Sequence, residues 1–163
     1  MTAADLVQQL QLQPHPEGGW FAETYRSNET IAAAHLPPRY NAPRTFGTAI
    51  YFLLEAGHFS AFHRLHSDEM WFHLAGGTLD LWRLDPRGAL HTEQLGPAAG
   101  RWQTLFPHGD WFAARPAPGT DFALVGCTVS PGFDFADFQL AQREELAAQF
   151  PAHRELIHQL TRV

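Results

Sequence analysis

The run Ser-Ala-Phe-His-Arg-Leu-His-Ser-Asp-Glu-Met-Trp-Phe-His-Leu-Ala-Gly, Ser60 to Gly76, holds the densest set of chemically able side chains in the sequence. His63, His66, Asp68, Glu69 and His73 are the residue types that ligate metals or move protons. They alternate with Phe62, Leu65, Trp71, Phe72 and Leu74, a composition suited to β-strands. Period-two alternation puts Ala61, His63 and Leu65 on one face of a strand. It puts Glu69, Trp71, His73 and Ala75 on one face of the next. The pattern predicts a polar site on the inner wall of a β-barrel. Buried there, Glu69 is expected to have a raised pKa and His63 a lowered one. If the two touch, each favours the other's charged form and the shifts partly cancel, which poises the pair near neutral pH for proton transfer.

A second polar cluster lies upstream. His15-Pro16-Glu17-Gly18-Gly19 reads as a turn, followed by a strand through Arg26. Alternation places Trp20, Ala22, Thr24 and Arg26 on one face and Phe21, Glu23 and Tyr25 on the other. His15, Glu17, Glu23 and Tyr25 are all within reach of a pocket; the competing reading is a polar turn plus an edge strand. Trp20, Trp71 and Phe112 offer flat apolar surfaces to a sugar or planar ring, with His63, Glu69 and Glu23 fixing its orientation. Tyr25 or Tyr51 is a candidate second acid. Cys127, on an apolar strand, reads as a small buried hydrophobe. Arg26 and Arg44 read as solvated surface cations, with anion binding as the alternative.

These residues need a scaffold of short strands. Turn signals such as Gly76-Gly77, Pro86 to Gly88, Pro97 to Gly100 and Pro107 to Gly109 recur between apolar runs, as in a sandwich or barrel. Strands are predicted at Thr45 to Leu54, His58 to Leu65, Glu69 to Ala75, Thr78 to Leu84, Leu90 to Leu95, Trp102 to Phe106, Trp111 to Ala114 and Phe122 to Val129. Thr2 to Leu12 reads as a short helix with Thr2 and Asp5 as a capping box. Asn28 to Arg44 reads as a long surface loop, a lid or dimer arm. Two short helices are predicted within residues 138–161, the second opened by Pro151. The expectation is one all-β domain over residues 1–163, with a core barrel over about 17–133 and a jelly-roll topology that closes its edges.

Composition narrows the partners. Eleven basic against 17 acidic residues give a net charge of -6, with no basic stripe, which argues against nucleic acid. The longest uncharged apolar run, Phe46 to Leu54, is too short to span a bilayer as a helix. No basic segment followed by an apolar core opens the chain, so no signal peptide is expected. One cysteine rules out an internal disulfide and fits a reducing, cytoplasmic setting.

Several of these segments together resemble a known family. His63, Glu69 and Gly76 resemble the first motif of the cupins, and Pro107-His108-Gly109 the Pro-any-Gly of the second. His15 to Phe21, Glu23 to Ser27, Ser67-Asp68-Glu69 and Val125 to Phe133 resemble the signatures of the fifth cupin family. The resemblance covers nearly the whole chain. It implies an RmlC-like jelly roll, to which the residues add the short N-terminal and two short C-terminal helices, and a homodimer with strands crossing between subunits. It does not imply a settled activity. The sequence departs from metal-binding cupins at two ligand positions: Leu65 stands at the second His and Phe112 at the third. The expectation is therefore no metal cofactor; were a divalent metal bound, His63 and Glu69 would be its remaining ligands.

Three readings stay open: a small-molecule-binding cupin, a metal-independent isomerase or epimerase acting on a carbohydrate-like carbonyl compound with His63 as base and Glu69 or a Tyr as acid, and a metal-dependent cupin enzyme. His63, Glu69 and Tyr25 are the catalytic candidates. Glu23, Trp71, Phe112, Trp20 and Tyr51 are the ligand-binding ones.

Overall fold

Alternating apolar and polar residues force each strand to bury one face, and strands with apolar residues on both faces need cover on both sides. The computed structural model, which describes residues 1–162, meets this demand with stacked layers. One sheet has six strands in the order β1 (Gln13–Pro14), β2 (Trp20–Arg26), β5 (Thr48–Glu55), β12 (Phe122–Ser130), β7 (Asp68–Gly76) and β10 (Gln103–Phe106). The other has five, in the order β13 (Phe138–Leu140), β6 (Ser60–Leu65), β11 (Trp111–Pro116), β8 (Leu79–Leu84) and β9 (Leu90–Leu95). Two short strands, β3 (Thr30–Ile31) and β4 (Arg44–Thr45), pair apart from these. The two large sheets face one another as a jelly roll, the fold read from the sequence.

The core between the sheets draws on both: Phe52, Trp71 and Val125 from one, Leu81, Leu95 and Phe112 from the other. Each fully buried side chain of this size contributes roughly 1.5–3 kcal/mol. The outer face of the six-stranded sheet, with Leu53, Leu124, Trp20 and Tyr51, is covered by Leu6 and Leu12 from the helix α1 (Ala3–Gln9) and its exit. The Thr2–Asp5 capping box forms, with reciprocal side-chain bonds at 3.2 and 2.8 Å. The outer face of the five-stranded sheet packs Phe62, Trp111 and Ala113 against Leu146, Ile157 and Leu160 of the C-terminal segment. That segment forms helices α2 (Arg143–Gln149) and α3 (Arg154–Gln159). Phe138–Leu140 is not part of them: it pairs with β6 as an edge strand, so the second sheet extends beyond the barrel limit of 133 expected from the sequence.

The 28–44 segment is pinned rather than loose. Tyr40 is buried, and its hydroxyl bonds the His66 carbonyl and Ser67 Oγ at 2.8 and 2.7 Å. Arg44 is also buried, which corrects its reading as a solvated cation. Its Nε and Nη2 donate to the two Asp137 oxygens at 2.6 and 2.5 Å. Two opposite charges that leave water together in bidentate geometry compensate one another's desolvation.

Candidate functional site

A cavity of about 300 Å³ opens between the sheets, within the range of small-molecule sites. Strand β5 supplies Thr48, Ile50 and Phe52; β7 supplies Glu69 and Trp71; β12 supplies Cys127 and Val129. Strand β6 adds His63 and Leu65, and Phe133, Phe135 and Phe138 close the side where the chain leaves β12. The alternation expected for β6 holds here, and in β7 it holds for Glu69 and Trp71; a register shift leaves Leu74 unpaired, so Ala75, expected on the same face, packs instead in the outer cluster beneath α1.

In β2 the alternation breaks. Glu23 pairs with Ile50 and Tyr25 with Ala49, so Thr24 is an extra residue in a bulge. The phase of the strand flips after Glu23. Arg26, opposite Thr48, joins Phe21 and Glu23 on the cavity wall, and Tyr25 turns out to solvent at 56% exposure. This corrects the expected places of both residues. Arg26 grips Glu23 with two bonds at 2.9 and 2.7 Å and also donates to the Phe133 carbonyl at 3.1 Å. Both partners are about 40% exposed, so the pair forms the rim.

Glu17 lies on the cavity floor, in the turn before β2. Its backbone carbonyl accepts from Arg162 Nε and Nη2 at 3.2 and 3.1 Å, and Arg162 packs so closely on Gly18 that no Cβ fits there. Its side chain is buried. Ser60 Oγ donates to Oε1 at 2.8 Å, and His63 Nε2 lies 3.1 Å from Oε2. His63 Nδ1 is 2.7 Å from the Ala61 carbonyl. A carbonyl only accepts, so Nδ1 carries the proton and the neutral ring presents its lone pair at Nε2. Burial presses His63 down to about 3, assisted by nearby His15 and opposed by the Ala61 bond. Burial and the neighbouring Glu69 raise Glu17 well above the carboxylate range. The pair is therefore neutral, with the Glu17 carboxyl donating to His63 Nε2. A shift of that one proton gives the charged form.

His15 is the neighbour of this pair. Its Nδ1 accepts from the Glu17 backbone N–H at 3.3 Å, which fixes the proton on Nε2. Burial lowers His15 to about 4. Glu69 lies across the floor with no cation beside it. Burial raises it to about 7, against the pull of Trp71 and Cys127 toward the anion. Burial also keeps the Cys127 thiol protonated, with Glu69 and Glu17 adding to the effect.

Of the residues singled out by the sequence, the fold brings His63, Glu69, Glu23 and Trp71 to the cavity. His63 and Glu69 do not pair with each other, because Glu17 occupies Nε2. The other ligand-binding candidates lie elsewhere. Trp20 and Tyr51 face outward beneath α1, and Trp20 Nε1 donates to Glu55 at 2.8 Å. Phe112 is a core residue stacked on Phe106 at 4.1 Å; its ring supports His63 from behind at 4.0 Å and does not line the cavity. His66 turns to Asp137 at 3.2 Å, and His73 to the Gly77 carbonyl at 2.8 Å. Glu17 and His15 were within reach of a pocket by sequence but unranked. Arg26 and the three Phe after β12 carried no signal that points inward.

The donor set does not fit a cupin metal. Leu65 and Phe112 replace two ligands, and both ring nitrogens of His63 are engaged within the protein. No group of three or more His, Cys, Asp or Glu is placed to hold an ion among the described residues.

The profile of the Cupin superfamily (DUF985) matches residues 4–141. The chain belongs to this cupin family. A protein of Shewanella oneidensis, SO0799, is 41% identical, with 99% of this chain and 98% of that one covered and a TM-score of 0.86. A hypothetical protein from Leishmania major is 31% identical over 100% of both chains, with a TM-score of 0.90. Oxalate decarboxylase from Bacillus subtilis shares the fold at 17% identity and a TM-score of 0.54; 90% of this chain and 36% of that one are covered. No curated protein matches the sequence. No helix among the described residues is long and apolar enough to cross a membrane.

Proposed function

We propose that this cupin binds a small organic molecule in the cavity between its sheets. The observation that carries the reading is the convergence of the buried side chains of His15, Glu17, His63 and Glu69 on an aromatic-walled cavity, with no cation hydrogen-bonded to any of them among the described residues. Burying polar groups costs stability unless they are matched, and a fold has no structural need for four such groups at one cavity. Groups arranged this way are recognition or proton-transfer groups. The test is a melting-temperature screen of sugar nucleotides, keto-sugars and planar heterocycles on the wild type and on Ile50→Trp, which fills the cavity. At least one class should raise the wild-type melting temperature and leave the filled variant unmoved. No stabilisation by any class, or equal stabilisation of both proteins, would remove the reading.

The 3.1 Å Glu17–His63 contact favours a second reading, a metal-independent isomerase or epimerase on a carbohydrate-like carbonyl compound. The roles then differ from those the sequence suggested. His63 is engaged on both nitrogens, and Tyr25 and Tyr51 face away. Glu69 as carboxylate takes the proton α to the carbonyl, while the Glu17 carboxyl turns its proton from His63 Nε2 to the carbonyl oxygen, the Glu17–His63 hydrogen bond opening as it does so. Glu69 then gives its proton to the neighbouring carbon of the enediol while Glu17 takes the proton of the other hydroxyl, which moves the carbonyl by one carbon and restores both groups. In D2O, such a reaction exchanges deuterium into the α-position of a keto-sugar, and Glu69→Gln stops the exchange.

A further inference from the structure

The cavity also says which polarity of ligand it takes, an inference that rests on the cavity being a ligand site. The chain has no lysine, so its fixed side-chain cations are 11 arginines. Of these only Arg26 lines the cavity, at the rim, and its guanidinium is already bound to Glu23 and the Phe133 carbonyl. The floor therefore offers an anionic ligand no free cation and two carboxyl groups instead.

Glu69 and His15 leave hydrogen-bonding capacity on the floor for a ligand, and the buried Trp71 Nε1 beside Glu69 has no partner of full geometry among the described residues. The Glu69 side chain is 7% exposed, and its neighbours Trp71 Nε1 and Cys127 Sγ lie close to it without a hydrogen bond of full geometry. The His15 side chain is 6% exposed, and its protonated Nε2 has no partner among the described residues, because Nδ1 takes the Glu17 N–H. One is an acceptor when ionised and the other a fixed donor. Between and above them the walls are flat rings: Phe21, Phe52, Trp71, Phe133, Phe135 and Phe138. Aromatic faces attract flat and cationic partners and give nothing to anions.

We infer that the cavity takes a planar nitrogen heterocycle, neutral or cationic and without phosphate or carboxylate, which presents N–H donors to Glu69 and an acceptor to His15 Nε2. An amidine-like edge meets a carboxylate with two parallel bonds, the strongest neutral-pH arrangement open to Glu69. The class excludes the sugar nucleotides from the candidate ligands.

Calorimetric titration with 2-aminobenzimidazole and with 2-naphthoate, a flat anion of similar size, tests this. The heterocycle should bind at least tenfold more tightly than the anion. Glu69→Gln should weaken it tenfold or more, His15→Phe several-fold, and Ile50→Trp should abolish it. Should Ile50→Trp not fold, Ile50→Phe takes its place. Naphthoate binding as tightly as the heterocycle, and lost in the filled variant, would overturn the polarity inference while the cavity stood as a ligand site. An unchanged affinity in Glu69→Gln would overturn it as well. If neither probe binds, or if binding survives filling, this inference falls, while the cavity reading stands or falls by the melting-temperature screen.

Discussion

Arg44–Asp137 and the Glu17–His63–Glu69 floor are both buried polar clusters, yet they are built on opposite terms. At Arg44 a cation and a carboxylate leave water together, in bidentate contact, and each satisfies the other. On the cavity floor two carboxyls and two imidazoles leave water with no fixed cation within bonding reach of their side chains, and burial shifts all four toward their neutral forms. The first arrangement fastens a loop to the strand region after β12. The second satisfies Glu17 and His63 within the protein and leaves hydrogen-bonding capacity at His15 and Glu69 open toward the cavity. Burial alone does not distinguish structural from functional polarity; whether the partner sits within the protein does.

The largest effect that tests this contrast is on the paired side. Arg44→Ala leaves Asp137 buried without its cation and should cost about 3–5 kcal/mol, read by chemical denaturation. A loss below about 1 kcal/mol would show that the pair fastens nothing and erase the contrast.

The next effect is on the floor and depends on pH. Between the ordinary values of 4.5 and 6.5, the folded state binds extra protons at Glu17 and Glu69, and the unfolded state binds extra protons at His15 and His63. The two contributions oppose one another there. Above 6.5 only the raised carboxyls differ, the folded state holds more protons, and stability falls as pH rises through about 7 and beyond. Below 4.5 only the histidines differ, and stability falls as pH drops through about 4 and 3. Glu69→Gln should flatten the alkaline fall and gain up to about 3 kcal/mol over wild type at pH 8, in urea titrations from pH 6 to 8. An unchanged slope would mean that Glu69 is solvated or paired after all.

The smallest effect sharpens the assignment of the Glu17 proton. Ser60→Ala removes one bond to a neutral carboxyl and should cost about 1 kcal/mol at pH 7. A cost nearer to about 3 kcal/mol would indicate that Glu17 is ionised and that its pair with His63 is charged.

The sequence made the strand pattern, the capped first helix, and the shared inward face of His63 and Leu65 legible, because these follow from local periodicity and cap chemistry. Glu69 and Trp71 were legible for the same reason. The Glu17–His63 contact was not, since it depends on which strands become neighbours across the barrel, and periodicity is silent on that. Arg44 was misjudged because its partner Asp137 lies far along the chain, and a charge reads as solvated until its counter-charge is placed. Tyr25 and Arg26 were exchanged by one unpaired residue that no composition signal marks. Trp20, Tyr51 and Phe112 were judged by their rings, and all three rings serve packing faces.

The bulge at Thr24 has a consequence for how this strand tolerates changes in length. Glu23 and Arg26 reach the same wall only because one residue between them is not counted by the ladder. Deleting Thr24 would restore plain alternation and still leave both facing inward, one position closer. Adding a residue at the same point would instead have to be absorbed by a wider bulge or turn Arg26 out of the rim. In this chain the strand can thus lose the residue at the bulge and keep its charged rim, a loss that would elsewhere invert a strand.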